Sequence, residues 1–436
     1  MIPMMNEPAL TQTQAPSAKA SVPAFVTTKN ERIAALLMYV VAFLYARAVT
    51  ERFLLPFNEC LLLTGAGIVG LTELLCHDRR SSWESRVWLG CFALCTVSQS
   101  FCSIGVGTVW EPFQRYLFIH AFCVWWILSR SGVLLEGKSG HLLPADVLNG
   151  LFRFPFPHFF TRIRTAFDAL RGLRKRENPD KKRLWSTILA AAVCLVLFGL
   201  AVRLLADADD GFGELLWNFR LSWNIDLGEF WFHLILSLPV GAWLFGLMDG
   251  ALRCPEEELA RQCGSISESL QRLRRVPVTL WVVVTAAFSA LYLVFFIMQG
   301  SYLFGAFTRT LPEGFVVAEY ARQGFFELCR VIAVNFTLLW MVTRLAEEER
   351  RENRLFTVIC VVLLTESMLF AVIAFSKIAL YISCFGFTAK RVQSIWLVCV
   401  LFLGCVLWTV ELLTDKPVFR KWMIASAVSL SILTLI

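Results

Sequence analysis

From Ile33 onward the chain is a succession of long apolar runs separated by short polar connectors. The runs lie near 33–50, 54–76, 87–105, 113–129, 187–206, 229–250, 278–300, 323–343, 355–376, 392–413 and 422–436. Each approaches the roughly 20 residues that carry a helix across a hydrocarbon core of about 30 Å. Only helices or closed barrels satisfy their backbone there. The pattern therefore predicts an all-α polytopic transmembrane bundle of about eleven spans. The fourth and last runs are short, which leaves ten or twelve open. The chain divides into a disordered tail over 1–30, an N-terminal four-helix membrane part over 31–129, a basic linker over 130–186 and a C-terminal membrane part over 187–436.

Two stretches have a different period. In 154–185, Ile163, Ala166, Phe167, Leu170 and Leu173 recur at helical spacing among Arg162, Arg164, Arg171 and Arg174. That suits an amphipathic helix lying on an anionic leaflet, with membrane lipids as the partner; a plain basic linker fits the same charges. The segment Trp217–Leu227 alternates apolar and polar residues as a strand would. An isolated strand beside a membrane leaves its backbone unpaired, and Leu216, Phe219, Trp223 and Leu227 also share a helical face, so an interfacial helix is preferred. Trp125–Trp126 and Trp217–Trp231 read as interface anchors.

Composition agrees with a lipid environment. Of 436 residues, 57% are hydrophobic and 17% charged, against about 25% charged in soluble domains. Most of the 41 Lys and Arg fall in the tail, 77–86, 130–186, 251–277, 344–354 and 414–421. The positive-inside rule then puts the N-terminus in the cytoplasm. Lys390 and Arg391 are the local exception, and a re-entrant segment at 355–376 would reverse everything after it. The net charge of +7 is thus a topology signal, and no soluble basic module with stacking aromatics points to nucleic acid.

Chemical motifs are sparse. There is no CxxC, HExxH, phosphate-cradling loop or nucleophile elbow among the 436 residues, and nothing implies a cofactor. The fourteen cysteines read as free apolar thiols. Asp207, Asp209 and Asp210, with Glu214, form an acidic knot that suits a divalent cation. Polar groups inside spans carry more, because a charge there is costly unless paired or wetted. Glu319, Gln323, Glu327 and Arg330 fall within about 80° on one helix face, with Arg322 at its border. Glu366, Lys377 and Tyr381 share a face of the next span if it stays helical. Gln299 and Tyr302 flank Gly300, where the preceding helix can break.

Three runs, YLFG at Tyr302–Gly305, LPEGFVVAEYARQGFFEL at Leu311–Leu328 and SKIALYISCFGFTAKRVQ at Ser376–Gln393, resemble the core of a bacterial family of multi-pass membrane proteins classed as a domain of unknown function. Lys377, Tyr381, Gly386, Thr388 and Arg391 stand in the last pattern, with Phe387 where the family has Leu. The resemblance covers about 185–436 and implies a helical bundle in the bacterial cytoplasmic membrane, without an activity; relatives are expected to continue past Ile436 into a polar tail. It also makes Arg391 a placed basic residue.

Three accounts of the charges stand side by side: a salt-bridge network locking helices, a polar chamber for a ligand, and a catalytic site. The leading expectation is a chamber in the seventh to ninth spans that binds or moves a small polar or anionic solute or a lipid headgroup. Its residues are Gln299, Tyr302, Glu319, Arg322, Glu327, Arg330, Glu366, Lys377, Tyr381 and Arg391. Pairing of Glu327 with Arg330, and of Arg330 with Glu366, is expected within it. The rivals are a scaffold or sensor that recruits a partner through 130–186, and a metal-dependent enzyme on lipid-linked substrates.

Overall fold

Helix starts are written into the sequence by short polar caps. The Asn58 side chain accepts from Leu61 N at 2.9 Å while its amide donates to Ala48 O at 2.8 Å, so one residue ends one helix and begins the next. Ser82 and Asn353 cap in the same way, accepting from Ser85 N and Phe356 N. In the computed structural model, residues 27–50, 58–101, 112–175, 227–274, 277–308, 316–346, 353–414 and 416–435 are described.

The N-terminal half contains α1 (Lys29–Thr50), α2 (Glu59–Leu75), α3 (Trp83–Ser100), α4 (Pro112–Ser131), the short α5 (Leu143–Leu148) and α6 (Thr161–Lys175). After them come α7 (Leu227–Arg253) and α8 (Glu256–Leu273). The C-terminal half has α9 (Val278–Met298), α10 (Gly300–Thr308), α11 (Val317–Leu345), α12 (Arg354–Phe385), α13 (Ala389–Thr414) and α14 (Phe419–Leu433). No strand occurs among the described residues.

Six of these helices, α1, α7, α9, α11, α12 and α13, are long and apolar enough to cross a membrane. They match six of the expected spans. The expected spans at 54–76, 87–105, 113–129 and 422–436 contain helices over their described residues, but α2 and α14 are only 17 and 15 residues long. The helices α3 and α4 carry buried polar and charged groups. The expected span at 187–206, the acidic knot and nearly all of Trp217–Leu227 lie outside the described residues. Over 355–376 the chain has no break: α12 runs as one helix for 32 residues, about 48 Å.

Two cores result. One joins α1–α4 to α7, with Phe92 stacked on Trp126 at 6.0 Å. Trp125 and Trp126 are thus core residues, 8% and 0% exposed, and not interface anchors. Periodicity marks them as large and apolar, but only packing shows which way they point. The second core joins α9 to α13 around Phe370, Ile332 and Leu363. Helix α14 packs on both α3 and α13 and so links the halves.

Ion pairs, each with one buried partner, fasten the first half and tie it to α14. Arg253 bridges Glu31 at 2.8 Å and Asp249 at 2.7 Å, and Asp249 also meets His158 at 2.9 Å. Arg130 binds Glu73 and the carbonyls of Cys76 and Arg79. Glu84 accepts from Trp88, Ser139 N and Arg420. No disulfide joins the described cysteines.

Helix α6 turns one face to the bundle and leaves the other open. Arg162, Thr165, Ala166 and Ala169 are buried against α1 and α7, while Ile163, Phe167 and Leu170 are 40%, 57% and 48% exposed. Arg162 enters between the two helices, 4.1 Å from the Tyr39 ring, beside Gly241, where a Cβ would collide with its guanidinium. Its Nη2 donates to Leu238 O at 3.0 Å.

Candidate functional site

Helices α11 and α12 run antiparallel, and their register stacks three polar levels. At one end Gly324 faces Lys377. In the middle Asn335 faces Ser367, and its Nδ2 donates to Ser367 Oγ at 2.9 Å. At the other end Arg344 and Thr357 line a common cavity.

At the first level the three sequence runs meet on one side chain. Lys377 is 0% exposed. Its Nζ lies 3.9 Å from the Tyr302 ring centroid and 3.6 Å from that of Tyr320, and it donates to Tyr302 O at 3.3 Å. The same carbonyl accepts from Tyr320 Oη at 2.5 Å. Two aromatic faces replace the carboxylate expected beside a buried cation. Gly324 makes room: a Cβ there would lie 2.8 Å from Lys377 Nζ and 2.9 Å from its Cδ. Tyr320 and Gly324 were not among the expected residues.

Arg391 and Tyr381 belong to a helix end. The α12 C-cap, Gly386, has φ +75°, a conformation that glycine adopts without strain. Arg391 donates to Phe385 O at 2.8 Å and to Gly386 O, and its guanidinium lies 4.1 Å from the Tyr381 ring. The exposed carbonyls of α12 thus receive a cation, as the helix dipole favours.

The polar stripe of α11 faces outward. Glu319, Arg322, Gln323, Glu327 and Arg330 are all exposed, while Tyr320, Ala321, Gly324, Phe325 and Leu328 hold the inner face. Gln323 donates to Glu327 at 3.1 Å. The expected pairings of Glu327 with Arg330 and of Arg330 with Glu366 are absent among the described residues; Arg330 faces outward and Glu366 inward. A 29-residue helix, about 43 Å long, exceeds a core of about 30 Å, so these charges need not sit in hydrocarbon. The chain does break at Gln299–Gly300 between α9 and α10, but Gln299 is exposed.

At the middle level Glu366 is 7% exposed and unbonded. Beside it Tyr292 donates to Asn335 at 2.6 Å.

The third level has open space. A cavity of about 730 Å³ lies between α11–α14 and the 141–144 segment, walled by Phe336, Trp340, Trp408 and Trp422. The Arg344 guanidinium is half-buried there and makes no hydrogen bond or ion pair among the described residues. Glu411 points its carboxylate to Val418 N and Phe419 N at 3.0 and 3.2 Å, capping α14. His141 stacks on Phe419 at 4.8 Å. Burial, and then the Arg344 charge, hold its imidazole below the usual range, so it meets the cavity neutral. Sequence reading missed this site because Arg344 looks like one more cytoplasmic-side cation.

Among the described residues no three His, Cys, Asp or Glu side chains gather to hold a metal; Asp207, Asp209 and Asp210 lie outside them. Comparison with known proteins gives one result. The family model for a domain of unknown function, DUF4153, matches residues 32–436, and so includes the N-terminal helices that the motif resemblance left out. No curated protein and no solved structure matches. The chain, a helical protein with membrane-like helices, therefore belongs to the DUF4153 family of unknown function.

Proposed function

We propose that this is a multi-pass protein of the bacterial cytoplasmic membrane, N-terminus inside, that binds an anionic amphiphile in the Arg344 cavity. The supporting observation is the combination at that site: a half-buried guanidinium with no ion pair among the described residues, next to tryptophan walls and space of about 730 Å³. A phosphate-bearing headgroup matches the first, since guanidinium binds phosphate oxygens in bidentate fashion. An acyl chain matches the second. Helices α2, α3, α4 and α14 complete a bundle of ten to twelve spans in this reading, as α2, α4 and α14 pack with the longer ones and α3 packs on all three. Lys377 and Glu366 are the inward-facing charges of the expected chamber, and Tyr302 belongs to its lysine cage.

The exposed apolar row Phe152, Phe156, Phe160, Ile163, Phe167 and Leu170 supports a second contact with lipid. With Arg164 and Arg171 beside it, the row suits the anionic cytoplasmic leaflet.

The test is thermal unfolding of detergent-purified protein titrated with short-chain phosphatidylglycerol, phosphatidylcholine or inorganic phosphate. Phosphatidylglycerol stabilises the wild type more than phosphatidylcholine, and Arg344→Ala removes that preference. Equal preference in the variant contradicts the proposal. Stabilisation by phosphate alone identifies a small anion in place of a lipid.

A further inference from the structure

Glu366 lies on α12 about 18 Å from the Arg354 end and about 28 Å from the Phe385 end. Neither of its carboxyl oxygens has a hydrogen-bond partner. On the packed helix α9, Ser289 stands beside that carboxyl and Thr285 is one turn away on the same face. They are 4% and 0% exposed, and both hydroxyls are unbonded.

Most buried hydroxyls among the described residues are bonded; besides these two, Ser85 and Thr165 are not. Thr64, Thr72, Thr96, Ser100 and Ser367, all buried within helices, donate to the carbonyl four residues back at 2.7–2.8 Å. Thr285 and Ser289 make no such bond. The neighbouring network offers them nothing: Tyr292 is spent on Asn335, Asn335 on Ser367, and Ser367 on Leu363 O. Two helices thus bring the Glu366 carboxyl and the Ser289 hydroxyl together at the middle of the bundle, with the unpaired Thr285 hydroxyl one turn along. Unbonded polar groups in such a place are costly.

We infer that Glu366, Ser289 and Thr285 form a binding site for a small monovalent cation with the size and charge of Na⁺. All the donor atoms are hard oxygens, and one carboxylate balances one positive charge. A divalent ion would want about six to eight oxygens and a second acid. Protonating Glu366 would remove the charge and let Ser289 pair with it, but would leave Thr285 unused. The half-buried Trp281, one turn beyond Thr285, has an unbonded indole N–H, which suits a water bound to the ion.

The experiment compares thermal unfolding of the purified full chain in sodium chloride and in choline chloride at equal ionic strength, alongside direct binding of radioactive Na⁺. Sodium raises the midpoint of the wild type by about 3 °C when it is well above Kd. Glu366→Gln loses the shift, Ser289→Ala and Thr285→Ala weaken binding about tenfold, and Thr365→Val on the exposed side of α12 keeps it. Absence of sodium-dependent stabilisation and binding in the wild type overturns the inference, whatever the pH dependence, and so does an equal shift in Glu366→Gln. If that variant does not fold, unchanged sodium affinity in both hydroxyl variants overturns it. The outcome is independent of the Arg344 cavity, whose test uses lipids and a different residue.

Discussion

Lys377 Nζ sits 3.6 Å from the centre of the Tyr320 ring, with its ammonium wholly buried. The contact joins α12 to α11 without a carboxylate. A desolvated cation over an aromatic face is worth about 2 kcal/mol, and the lost ring leaves a cavity besides. Tyr320→Leu should therefore destabilise the protein by about 2–4 kcal/mol. Tyr320→Phe keeps the ring and loses the hydroxyl's hydrogen bonding, to Tyr302 O among others, about 1 kcal/mol per bond. Denaturant titration in detergent separates the two; equal losses would mean that the ring–cation contact contributes nothing.

Gly324 and Lys377 should be coupled. An added methyl at 324 meets Lys377 Cδ and Nζ within 3 Å, so Gly324→Ala should cost about 1–3 kcal/mol. In a Lys377→Met background the unbranched side chain can shift without moving a charge, and the same substitution should cost less. A double-mutant cycle measures the difference. Additive effects would show that the lysine is not what fills the space beside Gly324.

The α12 C-terminus depends on Gly386 and Arg391. At φ +75° and ψ −177° an alanine is strained by about 1–3 kcal/mol, and Arg391→Ala leaves two carbonyls without their donor. Both changes should speed amide exchange over 382–386 while leaving exchange near Glu366 as in the wild type. Uniform acceleration along α12 would show that the cap does not act locally.

Stability should depend on pH through Asp146. Burial pushes its carboxyl up to about 6, although Leu135 N donates to it at 2.9 Å. The folded state thus holds a proton that the unfolded state releases near pH 4. This group's contribution is fully present below about pH 4 and is lost as pH rises from about 4 to about 6. Asp146→Asn should remove that dependence, so the wild type gains on acidification relative to the variant. Parallel pH curves for the two would contradict the assignment.

The sequence showed which residues share a helix face more clearly than which way the face points. Periodicity grouped Glu319, Gln323, Glu327 and Arg330 correctly, yet they turn outward because Tyr320, Gly324 and Leu328 complete the better apolar seam. Lys377 and Glu366 stood out as lone charges in apolar runs, and both are buried. Tyr320 gave no such signal, since one aromatic among many looks like core. Pairs such as Glu31 with Arg253, 222 residues apart, leave no local trace. Six spans were legible from length and apolarity alone; α2, α3, α4 and α14 are shorter or carry polar groups, where helix length and membrane depth no longer imply each other.

Helix α12 carries the whole arrangement: Thr357 at the cavity, Glu366 in the middle and Lys377 in its aromatic cage. The most direct test is the accessibility of its two ends to a membrane-impermeant maleimide, with Asn353→Cys and Phe387→Cys placed singly on a cysteine-free background in sealed vesicles of known orientation. The account predicts labelling of the two positions from opposite sides, with 353 on the cytoplasmic face. Labelling of both from the same side would show that α12 does not span the membrane, and the three-level arrangement would fall with it.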